Sequence, residues 1–216
     1  MLFEIYSRLL STFGYRNWWP AETRDEVIIG AILTQSVSWK NVKIALSNLR
    51  YHDILTIKDI NRADKQTIAS LIKSTRFYNQ KAIKLKNFTD FLFREYEGDL
   101  DNLFDHDTIS IREQLIRVKG LGEETVDSIL LYAGGKKIFV IDAYTKRVFS
   151  RLGIIGENWT YSKIQTYFLN NLKSNTEIYG DYHAQIVNLG HLLCRKTNPS
   201  CNQCPLEDLC RYRSSY

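Results

Sequence analysis

The 216-residue chain is 44% hydrophobic and 25% charged, the balance of a globular protein with room for one or two cored domains. No run of about 18 apolar residues is present, which excludes a helical membrane span, and the opening MLFEIYSRLLSTFGYRNWW lacks the basic start and small-residue cleavage site of a signal peptide. An intracellular protein with free thiols is expected, and a net charge of +5 permits a polyanionic partner without requiring one.

Helical periodicity runs along the chain. Asp25 to Gln35 is apolar nearly all round (Val27, Ile28, Ile29, Ala31, Ile32, Leu33), the pattern of a buried central helix. Lys73, Arg76, Lys81, Lys84 and Lys86 form a first basic cluster, within which a helix from about Tyr78 to Glu95 repeats Leu85, Phe88 and Leu92 on one face. Ile111, Leu115 and Val118 then mark a short amphipathic helix, and Val126, Ile129, Leu130 and Ala133 a second. Lys119-Gly120-Leu121-Gly122 joins them, so the two must form a tight hairpin. Its glycines admit positive φ, and amides at the start of the second helix suit a phosphate, although a plain hairpin with a glycine cap has the same sequence.

Ile138 to Ile141 is the one strand-like run, too short and isolated to found a sheet. Asp142 follows it at the position of a helix N-cap, before a helix from Ala143 to Leu152. Lys136, Lys137, Lys146, Arg147 and Arg151 make a second basic cluster here. Further helices are expected over Tyr161 to Leu172 and Ile178 to Leu193. The fold class is all-α.

The chain's four cysteines, Cys194, Cys201, Cys204 and Cys210, lie together near its end, with gaps of six, two and five residues. A disulfide framework would be spread through the fold, so one metal site is the better reading. Spacing alone leaves a four-thiolate zinc site and an iron–sulfur cube equally open. Pro199 and Pro205 suit a tight irregular loop. Arg195, Lys196, Arg211 and Arg213 surround it as a third basic cluster, and three such clusters shift the balance toward phosphate contacts.

VKGLGEETVD, then FVIDAYTKRV, then the cysteine loop, in that order, resembles the endonuclease III superfamily of DNA glycosylases; Leu33-Thr34-Gln35 also resembles that family's L-x-x-Q segment. The resemblance spans about Gly30 to Cys210 and implies two helical domains with damaged double-stranded DNA crossing the cleft between them. One would be a helical barrel over 23–135 carrying the helix–hairpin–helix at about 111–133. The other would join 1–22 to 136–216 with the loop 194–210. It further implies a [4Fe-4S] cluster on the four cysteines, a catalytic carboxylate at Asp142, and DNA contacts from Lys119, Gly120, Leu121, Gly122, Thr125, Arg147, Arg195 and Lys196. Gln35 would fill the space left in the duplex by the flipped nucleotide, and the protein would act as a monomer.

Trp18-Trp19-Pro20, with Trp39 as a later aromatic, resembles the base pocket of the 3-methyladenine branch of that superfamily, as does Arg76-Phe77-Tyr78-Asn79-Gln80-Lys81-Ala82. Some members of that branch lack the four cysteines. N-alkylated purines are cationic, so tryptophan faces attract them. Glu124 stands where lyase members of the family carry the Schiff-base lysine, and a carboxylate cannot form that adduct. The expected activity is therefore hydrolytic removal of alkylated purines without strand cleavage. An endonuclease III-like lyase acting on oxidised pyrimidines, with Lys119 as a nearby amine, is the first alternative. A non-catalytic damage-binding module is the second.

Overall fold

The computed structural model of the chain describes residues 1–172 and 175–212, so Arg213 of the third basic cluster lies outside the described residues. Among the described residues every regular element is helical. The chain divides into two compact units, Met1–Trp19 with Lys137–Tyr216, and Pro20–Lys136.

The first unit opens with α1 (Leu2–Phe13), which buries Leu2, Ile5, Tyr6 and Leu9 along one stripe. The second unit holds α2 (Arg24–Leu33), α3 (Trp39–Tyr51), α4 (Ile57–Arg62), α5 (Lys65–Leu71), α6 (Tyr78–Tyr96), α7 (Leu100–Asp105), α8 (Thr108–Arg117) and α9 (Glu123–Ser128). α2 is its centre: every residue from Glu26 to Leu33 is buried. Each large apolar side chain so placed contributes about 1.5–3 kcal/mol. Thr23 caps its start by accepting the Glu26 amide at 3.2 Å, and Glu26 returns to accept the Glu22 amide at 2.9 Å, a variant of the capping box. The helix stops at Leu33, short of the expected Gln35, because the chain turns through the left-handed region at Ser36 (φ 57°). Thr56, Asp64, Asp99 and Asp107 cap α4, α5, α7 and α8 with side-chain oxygens, which explains how such short helices are delimited.

The expected hairpin is α8 and α9. Arg112 of α8 grips Asp127 of α9 with two bonds, Nε to Oδ1 at 2.7 Å and Nη2 to Oδ2 at 3.1 Å, and the Asp127 side chain is wholly buried. At Gly120 the chain takes φ 100°, and a Cβ there would fall 2.5 Å from Cγ of Lys84, so the turn needs glycine on both counts. α9 does not continue as an ordinary helix to Ala133. It widens into a π-helical turn over Ile129–Ala133, where the Gly134 amide donates to the Ile129 carbonyl at 3.1 Å.

The first unit resumes with the extended run 138–141, which is buried but pairs with no strand among the described residues. Side chains satisfy its backbone instead: Gln165 Nε2 donates to the Phe139 carbonyl at 2.8 Å, and the Ile141 amide donates to the Tyr161 hydroxyl at 3.3 Å. α10 (Ala143–Arg151), α11 (Tyr161–Asn171) and α12 (Thr176–Leu192) follow. Phe139, Phe149, Phe168, Tyr179 and Tyr182 form the unit's aromatic core, with the Phe139 and Phe168 rings stacked at 4.3 Å. α12 packs on both α1 and α10.

Candidate active site and cysteine loop

Asp142 is the N-cap of α10, as its position in the sequence invites. Its Oδ1 accepts the Thr145 amide at 2.7 Å and the Thr145 hydroxyl at 2.8 Å. Its Oδ2 lies 3.6 Å from Nε2 of His183 on α12. The residue is 8% exposed. Burial pushes the carboxyl up, but His183 and the two Thr145 donors together outweigh it and hold the group below the usual carboxylate range. The site therefore keeps a buried carboxylate ionised and rotationally fixed. Sequence reasoning missed His183, because nothing near Asp142 in the chain points to a partner on a helix that starts at Thr176.

The hairpin and the segment after α2 come together within the second unit. Gln35 donates through Nε2 to Thr125 Oγ1 at 2.8 Å and to the Gly120 carbonyl at 3.3 Å, while its Oε1 accepts from Lys84 Nζ. Lys119 is exposed, its carbonyl held by Asn87 Nδ2 at 2.8 Å, and Gly122 is exposed beside it. Leu121 is buried and anchors the turn from below. Glu124 is exposed in the first turn of α9. Lys81 is no part of a solvated basic face: it is 1% exposed, donates to the Leu33 carbonyl at 2.8 Å, and is lowered to about 8 by burial and then by the charge of Lys84. Phe77, by contrast, is 64% exposed and caps α6 in the left-handed region (φ 56°).

Of the four residues expected to sandwich a base, Trp18 and Trp19 belong to the first unit, and Pro20 and Trp39 to the second. The Trp18 and Trp19 rings lie 5.4 Å apart and are half-buried. α12 tethers the segment that leads to them: Asp181 Oδ1 accepts the Arg16 amide at 2.7 Å, and Gln185 Nε2 donates to the Gly14 carbonyl at 2.7 Å.

The four cysteines are not joined in disulfides and line one small cavity of about 30 Å³ with Arg151, Leu193, Pro199, Ser200, Glu207 and Tyr212. Among the described residues no three His, Cys, Asp or Glu side chains close on a single ion. Burial pushes the Cys204 thiol up to about 11, opposed by the Leu206 amide and reinforced by the other three cysteines. Four thiolates in this setting need a cationic centre, and Arg151 already donates through Nη1 to Cys194 Sγ at 3.3 Å. The donor set, four cysteine sulfurs in one loop, is of the kind that a thiolate-bound cluster takes. Arg147 is bonded to the protein itself, Nε to the Cys194 carbonyl and Nη2 to the Gly190 carbonyl, both at 2.8 Å. Arg195 donates to the Asn198 carbonyl at 2.9 Å and remains exposed with Lys196.

Residues 29–174 match the profile of HhH-GPD superfamily base excision DNA repair proteins. Over 97% of this chain and 96% of the relative, the sequence is 47% identical to the provisionally named DNA repair glycosylase MJ1434 of Methanocaldococcus jannaschii. It is 31% identical to endonuclease III of Sulfolobus acidocaldarius over 86% of this chain and 80% of that one. The fold is similar to that of the 3-methyladenine DNA glycosylase MagIII of H. pylori, crystallised with 1,N6-ethenoadenine: TM-score 0.77, 29% identity, 87% of this chain and 96% of that chain.

Proposed function

The chain belongs to the HhH-GPD superfamily of base excision DNA repair proteins and is a DNA glycosylase, and from that premise we propose that it releases alkylated purines from double-stranded DNA by hydrolysis alone. The observation that carries the hydrolytic step is Asp142, a buried, ionised carboxylate with one oxygen locked by Thr145. As the glycosidic bond breaks, its electron pair leaves with the cationic base, which departs neutral, and positive charge develops on the sugar. A fixed carboxylate stabilises that charge, and water then forms the new bond to the sugar carbon, its proton passing to Asp142 or solvent.

Absence of a lyase step is supported by Glu124, an exposed carboxylate in the first turn of α9. An alkylated-purine substrate is supported by the tryptophan pair Trp18–Trp19 and by the 29% identity to MagIII. Flipping costs a few kcal/mol, least at weakened pairs. Gln35, held by Thr125 and Gly120 in the free protein, would leave those partners to fill the duplex, while Lys119, Gly120 and Gly122 meet phosphates. Cys194, Cys201, Cys204 and Cys210 would hold a [4Fe-4S] cluster, which would cross-link the loop so that Arg195 and Lys196 could meet DNA. The protein would work as an intracellular monomer. Among the described residues no helix is long and apolar enough to cross a membrane.

A panel of duplexes carrying single lesions tests this reading. Alkylated purines should yield strand breaks only after alkali, and borohydride should trap no covalent adduct. The likeness to endonuclease III of S. acidocaldarius favours a second reading, a lyase using an amine such as Lys119. Borohydride-trapped protein on an oxidised pyrimidine duplex would establish it instead.

A further inference from the structure

The two oxygens of Asp142 are held from different helices. Oδ1 takes both Thr145 bonds, from its own α10. Oδ2, the oxygen left for the reacting sugar, lies 3.6 Å from Nε2 of His183 on α12. We propose that His183 is a positioning residue for base release, aiming Oδ2 at the sugar carbon and holding the negative charge on Asp142; this rests on the reading of Asp142 as the catalytic carboxylate.

Three observations carry it. Both side chains are buried, 8% and 10% exposed, so attraction across the gap is screened far less than at a surface. The helices that carry the two side chains, α10 and α12, are fixed in register. A Cβ on Gly190 would fall 2.4 Å from Tyr144 Cδ1, and Arg147 bridges to the Gly190 and Cys194 carbonyls at 2.8 Å each. Finally, Thr145 occupies only one carboxylate oxygen, and His183 Nε2 faces the other across the 3.6 Å gap. His183 touches no substrate and takes no proton in this role. It acts through Asp142, and a misplacement of about 1 Å there would cost about 10²-fold in rate.

The test compares His183→Phe, His183→Gln and Asp142→Asn. Methylpurine release from dimethyl sulfate-treated DNA is read under single turnover, and affinity is read with a tetrahydrofuran abasic duplex. His183→Phe should lower the release rate about 10- to 100-fold with binding within about twofold of wild type. His183→Gln, whose amide nitrogen reaches the place of Nε2, should recover most of the loss, and Asp142→Asn should lower release by at least about 10³-fold. Wild-type turnover in His183→Phe beside an inactive Asp142→Asn overturns the proposal. So does a joint loss of binding and thermal stability that Gln does not repair, which would mark a structural role. Undiminished release by Asp142→Asn would instead defeat the reading of Asp142 itself. Should His183→Phe fail to fold, His183→Asn replaces it: its shorter amide stops short of Oδ2, and wild-type turnover in a folded Asn variant is equally fatal.

Discussion

Replacing Arg112 by methionine should unfasten the hairpin of α8 and α9. Arg112 makes two bonds to Asp127, at 2.7 and 3.1 Å, and a weaker one to Glu123 at 3.4 Å. The Asp127 side chain is fully buried, whereas Arg112 is 20% exposed. Methionine fills the space of the arginine stem but removes both guanidinium bonds from a fully buried carboxylate. Breaking one side of a buried pair costs about 3–5 kcal/mol, while replacing both sides by packed apolar residues is often neutral. Urea unfolding followed by far-ultraviolet circular dichroism should therefore show Arg112→Met less stable by about 3–5 kcal/mol. The double variant Arg112→Met/Asp127→Leu should regain most of that, giving a coupling of at least about 2 kcal/mol in the double-mutant cycle. Affinity for an abasic-analogue duplex should follow the same order, since the pair sets the angle at which the 119–122 turn is presented. A loss below about 1 kcal/mol in Arg112→Met, or purely additive effects, would refute the reasoning.

Gly120→Ala should cost about 1–2 kcal/mol for the left-handed backbone alone, and its methyl would displace Lys84 and with it the Lys84–Gln35 bond; weaker binding to duplex DNA in a gel-shift titration checks this. Lys81 is lowered to about 8 in the folded protein against 10.5 ordinarily, so between these values the unfolded chain binds more protons and stability rises with pH. Denaturation curves of wild type and Lys81→Met should diverge accordingly: wild type should gain about 2–3 kcal/mol relative to the variant between about pH 7 and pH 10.5. Cys204→Ser should lose iron by colorimetric assay and bind duplex DNA more weakly, and a full iron complement in that variant would contradict the ligand assignment.

Much of the molecule was legible because local chemistry dictates it. The apolar run through Ile28, Ile29 and Ile32 could only be a buried helix, and α2 is buried throughout. Gly120 announced a turn that its φ of 100° requires. The cysteine spacing announced one site, and the four thiols share one cavity. Asp142 was readable as a cap because capping is a property of adjacent residues. What stayed hidden depends on contacts between distant segments. Lys81 reads as one more surface lysine among Lys73, Lys84 and Lys86, yet the α2 terminus draws it inside to meet the Leu33 carbonyl. Gln35 gives no sign in the sequence that it is latched to Thr125. Arg147 reads as a phosphate ligand, yet it closes α10 onto the carbonyls at the end of α12. His183 carries no local signal, since its partner sits on another helix. The π-helical turn after Ser128 likewise follows from packing around α2 rather than from residue type.

The most direct test of the account is single-turnover base release by Asp142→Asn on methylated duplex DNA. Asparagine keeps an oxygen for the Thr145 amide, so folding and abasic-duplex affinity should stay near wild type while release falls by at least about 10³-fold. Release within about tenfold of wild type, from a folded variant that still binds the duplex, would contradict it.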